Sequence, residues 1–318
     1  MNTPNLKIDH LHLKVSNLER SLQFYRSILG FKIVRQEDKT AFLSSSSSSN
    51  NKDSSMFLVV LSEIKSEIKD SAISYTFQHK PRVAGLYHFA ILLPKRRYLA
   101  YFLKHIQKNL DSKYYEGMAD HAVSESIYIH DPDSNGIEVY RDRDPTEWKW
   151  KEDKVHMVTE PLNVQDLLKE SIIDVDNDDW NVLPPNTLLG HVHLHVSNLS
   201  KAKRFYQDIL ELNHTATYPG AYFFAANRYH HHIATNTWLG ENIPPAYSHG
   251  NNKPGLDHYA INLHTQNDLF LLKKRLLEFK VRIDEEQLIE NNDNQFSSSS
   301  FYGYDFDGIK IQFLYNDS

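Results

Sequence analysis

Ile8-Asp9-His10-Leu11-His12-Leu13-Lys14-Val15-Ser16-Asn17-Leu18 returns later in the chain as Gly190-His191-Val192-His193-Leu194-His195-Val196-Ser197-Asn198-Leu199. Both copies run on into a Phe-Tyr pair, Phe24-Tyr25 and Phe205-Tyr206, at one constant offset of 181 residues. An offset held through a strand, a turn and a helix marks a duplication. Two further stretches repeat: Gly85-Leu86-Tyr87-His88-Phe89-Ala90-Ile91 against Gly255-Leu256-Asp257-His258-Tyr259-Ala260-Ile261, and Asp131-Pro132-Asp133 against Asp305-Phe306-Asp307. Histidines therefore recur at equivalent positions of early strands.

The pattern within each copy gives the local structure. Residues two apart on a strand share a face, so His10, His12 and Lys14 point one way while Leu11, Leu13 and Val15 point to a covered core. Ser16-Asn17 then caps a segment in which Leu18, Leu22, Tyr25 and Leu29 fall at helical spacing, and Gly30 ends it. Short β-rich runs at 31–35, 41–43 and 56–61 complete a β-α-β-β-β unit, interrupted by the Ser-rich tract 44–55, which reads as a solvated hairpin loop. A second unit starts at Leu86, with a helix from Tyr98 to Ile106 and strands near 124–130 and 136–141. The scheme repeats at about 189–240 and 256–315. The expected fold is α+β, with four βαβββ modules paired into two cup-shaped mixed-sheet domains. Residues 1–143 are expected to form the first domain, 144–188 a connection and 189–318 the second. Trp148, Trp150 and Trp180 are expected to pack that connection, and Asp131-Pro132-Asp133 to be a turn that sets up the last strand.

Composition narrows the function. At 318 residues, two halves can each bury a core. A net charge of -6 without a dense Lys/Arg stripe argues against nucleic acid or an anionic membrane as partner and points to a small molecule. No signal-peptide pattern opens the chain and no apolar run approaches about 18 residues, so a cytoplasmic location is expected. A homo-oligomer stays open. Cysteine is absent, which removes thiolate nucleophiles and zinc-thiolate sites, whereas histidine occurs 18 times. Metal chemistry must then rest on imidazole, carboxylate and amide groups.

If the modules form cups, His10, His88 and Glu138 can converge, because Glu138 alternates with Ile137 and Val139 on its strand. Two neutral imidazoles and one carboxylate on one side of a divalent iron leave adjacent positions open for a bidentate substrate and dioxygen. A lone strand histidine is more often structural; His12, His193 and His195 are read as groups lining the cup.

The stretches 8–25, Gly85 to Leu92 and Ser124 to Arg143 resemble the vicinal-oxygen-chelate superfamily (glyoxalase, bleomycin resistance and extradiol dioxygenase proteins). Within it the chain is most similar to two-domain catechol 2,3-dioxygenases of Gram-positive bacteria. The resemblance implies a metal held by a first-strand histidine of one module, a first-strand histidine of the next and a last-strand glutamate, which here are His10, His88 and Glu138. It further implies an acid-base histidine and a tyrosine ten residues before the glutamate. His231 in Tyr229-His230-His231-His232 matches that histidine, while Tyr128 and Tyr302 match the tyrosine; His121 is a substitute base for the first half. In the second half His191, His258 and Gln312 form an alternative set, disfavoured because an amide replaces the carboxylate. A crosswise pairing of modules, placing His10 with His258 and Gln312, stays open at this point. The expected cofactor is Fe(II), alternatively Mn(II), and the expected partners are a small aromatic diol, of catechol or hydroquinone type, and dioxygen. The rival readings are a glyoxalase-type isomerase or thiol transferase, and a non-catalytic module that sequesters an aromatic compound.

Overall fold

The computed structural model describes residues 6–45, 57–64, 82–171, 180–246, 253–284 and 300–316. The first module holds β1 (Leu6–Val15), α1 (Leu18–Ser27), β2 (Lys32–Glu37), β3 (Thr40–Ser44) and β4 (Val59–Glu63). The second holds β5 (Gly85–Leu92), α2 (Arg96–Asn109), β6 (Tyr115–Asp120), β7 (Ser124–His130) and β8 (Gly136–Asp142). A connection with β9 (Trp150–Lys151), β10 (Lys154–Val155) and α3 (Val164–Lys169) leads to the third module: β11 (Leu188–His195), α4 (Leu199–Lys203), β12 (Asn213–Tyr218), β13 (Ala221–Ala225) and β14 (Ile233–Asn236). The fourth holds β15 (Gly255–Leu263), α5 (Gln266–Glu278), β16 (Ile283–Asp284), β17 (Ser300–Tyr304) and β18 (Lys310–Leu314). Most of the Ser-rich tract, residues 46–55, lies outside the described residues.

Local chemistry explains the repeated opening. Leu11, Leu13 and Val15 are wholly buried, whereas the alternate side of β1 faces the cup. Asn17 accepts from the Arg20 N–H and Asn198 from the Lys201 N–H, so both helices start on the asparagine of the repeated Ser-Asn. Gly30 follows α1 with a φ of +83°, and a Cβ there would meet the Leu183 nitrogen at 2.8 Å. Glycine is required on both counts.

The two sheets are not built from the two halves of the chain. One eight-stranded sheet runs β16-β17-β18-β15-β1-β4-β3-β2, the other β12-β13-β14-β11-β5-β8-β7-β6. The first module thus pairs with the fourth, and the second with the third, through the antiparallel seams β1/β15 and β5/β11. The expected grouping of consecutive modules within 1–143 and within 189–318 is corrected accordingly. Each module carries one open edge on its first strand. Sequence patterning defines that edge without choosing its mate, and the fold closes each module's edge with a module of the other half.

The repeated Asp-x-Asp turns tie the two sheets together. Tyr25 on α1 donates to Asp131 at 3.0 Å, and Tyr206, in the π-helical segment Arg204–Ile209 that continues α4, donates to Asp305 at 2.9 Å. Each pair spans the two sheets and is buried. Asp133 accepts from the Ser16 N–H at 2.9 Å, and Asp307 from the Ser197 N–H at 3.0 Å. Asp131 also holds its own turn by accepting the Asp133 and Asn135 N–H groups.

Removing either phenol leaves a buried carboxyl short of a partner. Tyr25→Phe and Tyr206→Phe are each expected to lower unfolding free energy by about 1–3 kcal/mol in urea titrations. Burial, then the neighbouring Asp307, pushes Asp305 up to about 7 from an ordinary 3.8. The folded state holds that proton more tightly, so this group's stabilisation is full below the unfolded value and is lost as pH rises through 7. Asp305→Asn is therefore expected to flatten the decline of Tm between about pH 4 and 7, as read by calorimetry.

Candidate metal centre

β11, β5 and β8 are adjacent in their sheet, and each supplies one convergent side chain: His191, His88 and Glu138. The antiparallel seam sets His193 opposite His88 and Ala90 opposite His191, while the parallel pair β5/β8 sets Ala90 beside Glu138. All three therefore project from the same face within two rungs. The Nε2 atoms of His88 and His191 each lie 3.0 Å from Glu138 Oε2. Gly190 lets β11 approach this closely, because a Cβ there would overlap the Tyr140 hydroxyl at 1.7 Å.

The donor set fits a divalent cation. Burial would raise the Glu138 carboxyl, but the His191 and His88 imidazoles outweigh it and hold it well below the usual carboxylate range. Burial lowers His191 to about 4 against the pull of Glu138, so its ring is neutral. His88 Nε2 is buried close to the carboxylate oxygen and yet makes no hydrogen bond. Leaving such an atom unsatisfied costs about 1–3 kcal/mol, a deficit that a shared cation would remove. Two imidazole nitrogens and one carboxylate on a single face suit iron(II) or a similar divalent metal with sites open to substrate.

Around these three stand groups able to handle protons. His121 Nδ1 donates to the Val158 carbonyl at 2.6 Å, which leaves Nε2 to accept from the Tyr128 hydroxyl at 2.7 Å. Burial, then Glu138, pushes the Tyr128 phenol well above its ordinary value, so it stays a donor. Its ring lies 5.6 Å from that of His88. His231 packs at a tilt against His191 on the opposite flank, 4.1 Å between ring centres, and burial, then His191, holds its imidazole well below the ordinary value. Ser126 donates to Glu138 Oε1 at 2.6 Å and turns the other oxygen toward the histidines. His193 packs 4.9 Å from His88 and is held by Asn236 at 3.0 Å. Trp148 packs 5.2 Å from His230, while Trp180 packs 5.1 Å from Phe102 behind the sheet.

His10 does not reach this centre, and the expected trio His10, His88 and Glu138 is corrected. His10 lies in the other cup, 5.9 Å ring to ring from His258, with Tyr302 5.2 Å from His258. The alternative set His191, His258 and Gln312 is divided between the cups as well. Gln312 sits on β18 with its amide 3.5 Å from Ser300, where the first cup has Glu138 and Ser126. His10 and His258 turn Nδ1 to Asp9 and Asp257, each at 2.8 Å. His12, Asp257 and His258 also cluster there, but Lys14 sits 2.7 Å from Asp257. With Lys310 3.9 Å over the Tyr302 ring, this second cup has gained cations and lost the carboxylate. It is the poorer place for a metal ion. Of the expected acid-base residues, His121, Tyr128 and His231 share the cup with His88, Glu138 and His191, whereas Tyr302 does not. Sequence reading missed Ser126, although strand alternation places it on the face of Tyr128 and its counterpart Ser300 repeats it.

Fold and site together define a duplicated scaffold of paired βαβββ modules with a His/Glu/His cluster able to hold a metal ion. The profile of the Glyoxalase/Bleomycin resistance protein/Dioxygenase superfamily matches residues 7–150 and 188–313, and the chain belongs to that superfamily. It is 37% identical over 283 residues to the catechol-2,3-dioxygenase of Bacillus subtilis strain 168, covering 88% of this chain and 90% of that protein. A solved Bacillus subtilis structure superposes with a TM-score of 0.60 at 12% identity, over 98% of this chain and 86% of its own. Glyoxalase I of Zea mays gives a TM-score of 0.54 at 16% identity, over 98% and 92%. Among the described residues no helix is long and apolar enough to cross a membrane.

Metal content separates the two cups. Protein purified after growth with iron is expected to carry about one metal ion per chain, lost in His191→Ala and Glu138→Ala and kept in His10→Ala and His258→Ala. Elemental analysis of the folded variants reads the result; retention in His191→Ala with loss in His10→Ala would reverse the assignment.

Proposed function

We propose that the chain is a metal-dependent extradiol dioxygenase that opens the ring of a catechol-type aromatic diol, with His88, Glu138 and His191 as the ligands. The observation that carries the reading is the convergence of those three donors beside His231 on one flank and the His121–Tyr128 pair on the other. The 37% identity to a catechol-2,3-dioxygenase supports the same chemistry. His88, Glu138 and His191 would hold iron(II) or manganese(II), which would supply Lewis-acid activation of the diol and a redox route between ring and dioxygen.

The protein groups divide the remaining work. His231, neutral and beside His191, is placed to take a proton from a diol hydroxyl. Tyr128, kept protonated by burial, is placed to donate to the oxygen on which charge gathers, with His121 Nε2 holding its hydroxyl meanwhile. His193 and Phe223, 5.9 Å apart, with Trp238 5.2 Å from His193, supply aromatic walls for a flat substrate. The overall reaction balances without an external reductant: one ring carbon–carbon bond breaks, and both atoms of one dioxygen enter the product as a carboxylate and an aldehyde or ketone.

Iron-loaded protein given catechol under air is expected to consume one dioxygen per catechol and to form a yellow ring-opened product. Followed by an oxygen electrode and absorbance, kcat is expected to fall 10²- to 10⁴-fold in His231→Ala and about 10²-fold in Tyr128→Phe. A metal-loaded protein that takes up no oxygen with any catechol tested would overturn the reading.

A further inference from the structure

Behind His231 runs a line of polar groups with no direct part in metal binding. Asp142, the last residue of β8, has its Oδ1 2.8 Å from His230 Nε2 and accepts the Tyr229 hydroxyl on Oδ2 at 2.8 Å. His230 Nδ1 lies 2.8 Å from His231 Nδ1, and the His230 side chain is wholly buried. Tyr140 and Tyr229 share a hydrogen bond at 2.9 Å alongside. Among the described residues His231 Nε2 has no hydrogen-bond partner.

Donor and acceptor counting fixes the protons along this line. A carboxylate only accepts, so His230 must carry its hydrogen on Nε2. In a neutral ring its Nδ1 is then a lone pair, and the nitrogen facing it at 2.8 Å must be the donor. That nitrogen is His231 Nδ1, so the hydrogen of His231 points away from the cup. Nε2 remains as an acceptor on the other edge of a ring packed 4.1 Å, centroid to centroid, from His191. We propose that Asp142 and His230 are positioning residues that fix His231 in the Nδ1–H tautomer, so that its Nε2 presents a lone pair to a substrate hydroxyl. A partly buried carboxylate, acting through His230, thereby selects which edge of His231 can act. Only the last step, contact with a substrate hydroxyl, rests on the ring-cleavage reading.

The tautomer is read without turnover. In metal-free protein labelled with ¹⁵N-histidine, the resonances that vanish in His231→Gln are expected to show a protonated Nδ1 and a bare Nε2. In His230→Phe, which keeps the ring volume and deletes the acceptor, the two forms are expected to mix or exchange. In iron-loaded His230→Phe, kcat for catechol is expected to fall roughly 10- to 100-fold, with KM within about twofold of the parent. Should that variant fail to fold, Asp142→Asn, nearly isosteric, can turn an amide N–H toward His230 and is expected to disturb the same tautomer. A wild-type His231 protonated on Nε2, or a tautomer and kcat unchanged in the folded variants, overturns the proposal. Wild-type protein without oxygen uptake counts against the ring-cleavage reading instead, and the resonance assignment then decides the positioning on its own.

Discussion

The antiparallel seam between β5 and β11 decides where every candidate functional side chain falls. It joins the second module to the third across about a hundred residues of chain, and it lays His88 and His191 on one face, two residues out of register. β8 then adds Glu138 from the other side of β5. No loop supplies a ligand, so the trio inherits the rigidity of three central strands. Slipping the seam by one residue would turn His191 into the core and Val192 toward the cup, because side chains alternate along a strand. The buried tyrosine–aspartate ties between sheets hold the two seams in relation to each other.

A duplicated chain begins with two equal cups, and this one has made them unequal through a few substitutions. Glu138 and its counterpart Gln312 differ by one charge. Around the first cup that carboxylate faces the imidazoles of His88 and His191, which leave room for a cation. Around the second, Lys14 and Lys310 stand where the first cup has His195 and Gly136, and Asp257 is already committed to Lys14 and His258. Coulomb attraction for a dication is thereby removed twice, once by deleting the acid and once by adding bases. The same asymmetry recurs further out: Asp142, Tyr229 and His230 form a partly buried network behind the first cup and include part of a histidine run that appears once in the chain.

Much of this was legible in the residues themselves. Strand alternation in Leu11, Leu13 and Val15, the Asn caps and the repeated Asp-x-Asp turns set the modules and their boundaries, since each depends on neighbours close in sequence. The histidines and Glu138 were likewise recognisable, because a polar side chain on the inner face of a strand announces itself by its apolar neighbours. The partner of His88 was not. Choosing His191 over His10 requires knowing which open strand edge meets which, and both edges carry nearly the same sequence. The duplication that revealed the fold thus concealed the pairing. β6 escaped notice for a simpler reason: Tyr115–Asp120 contains Gly117 and lacks an alternating apolar pattern.

The account stands on one cation shared by β11, β5 and β8, and anomalous diffraction from crystals grown with iron or manganese tests it most directly. The expected map has one strong peak roughly 2 Å from His88, Glu138 and His191, with none between His10 and His258. A peak held by His10, His258 and Gln312, with the first cup empty, would contradict it.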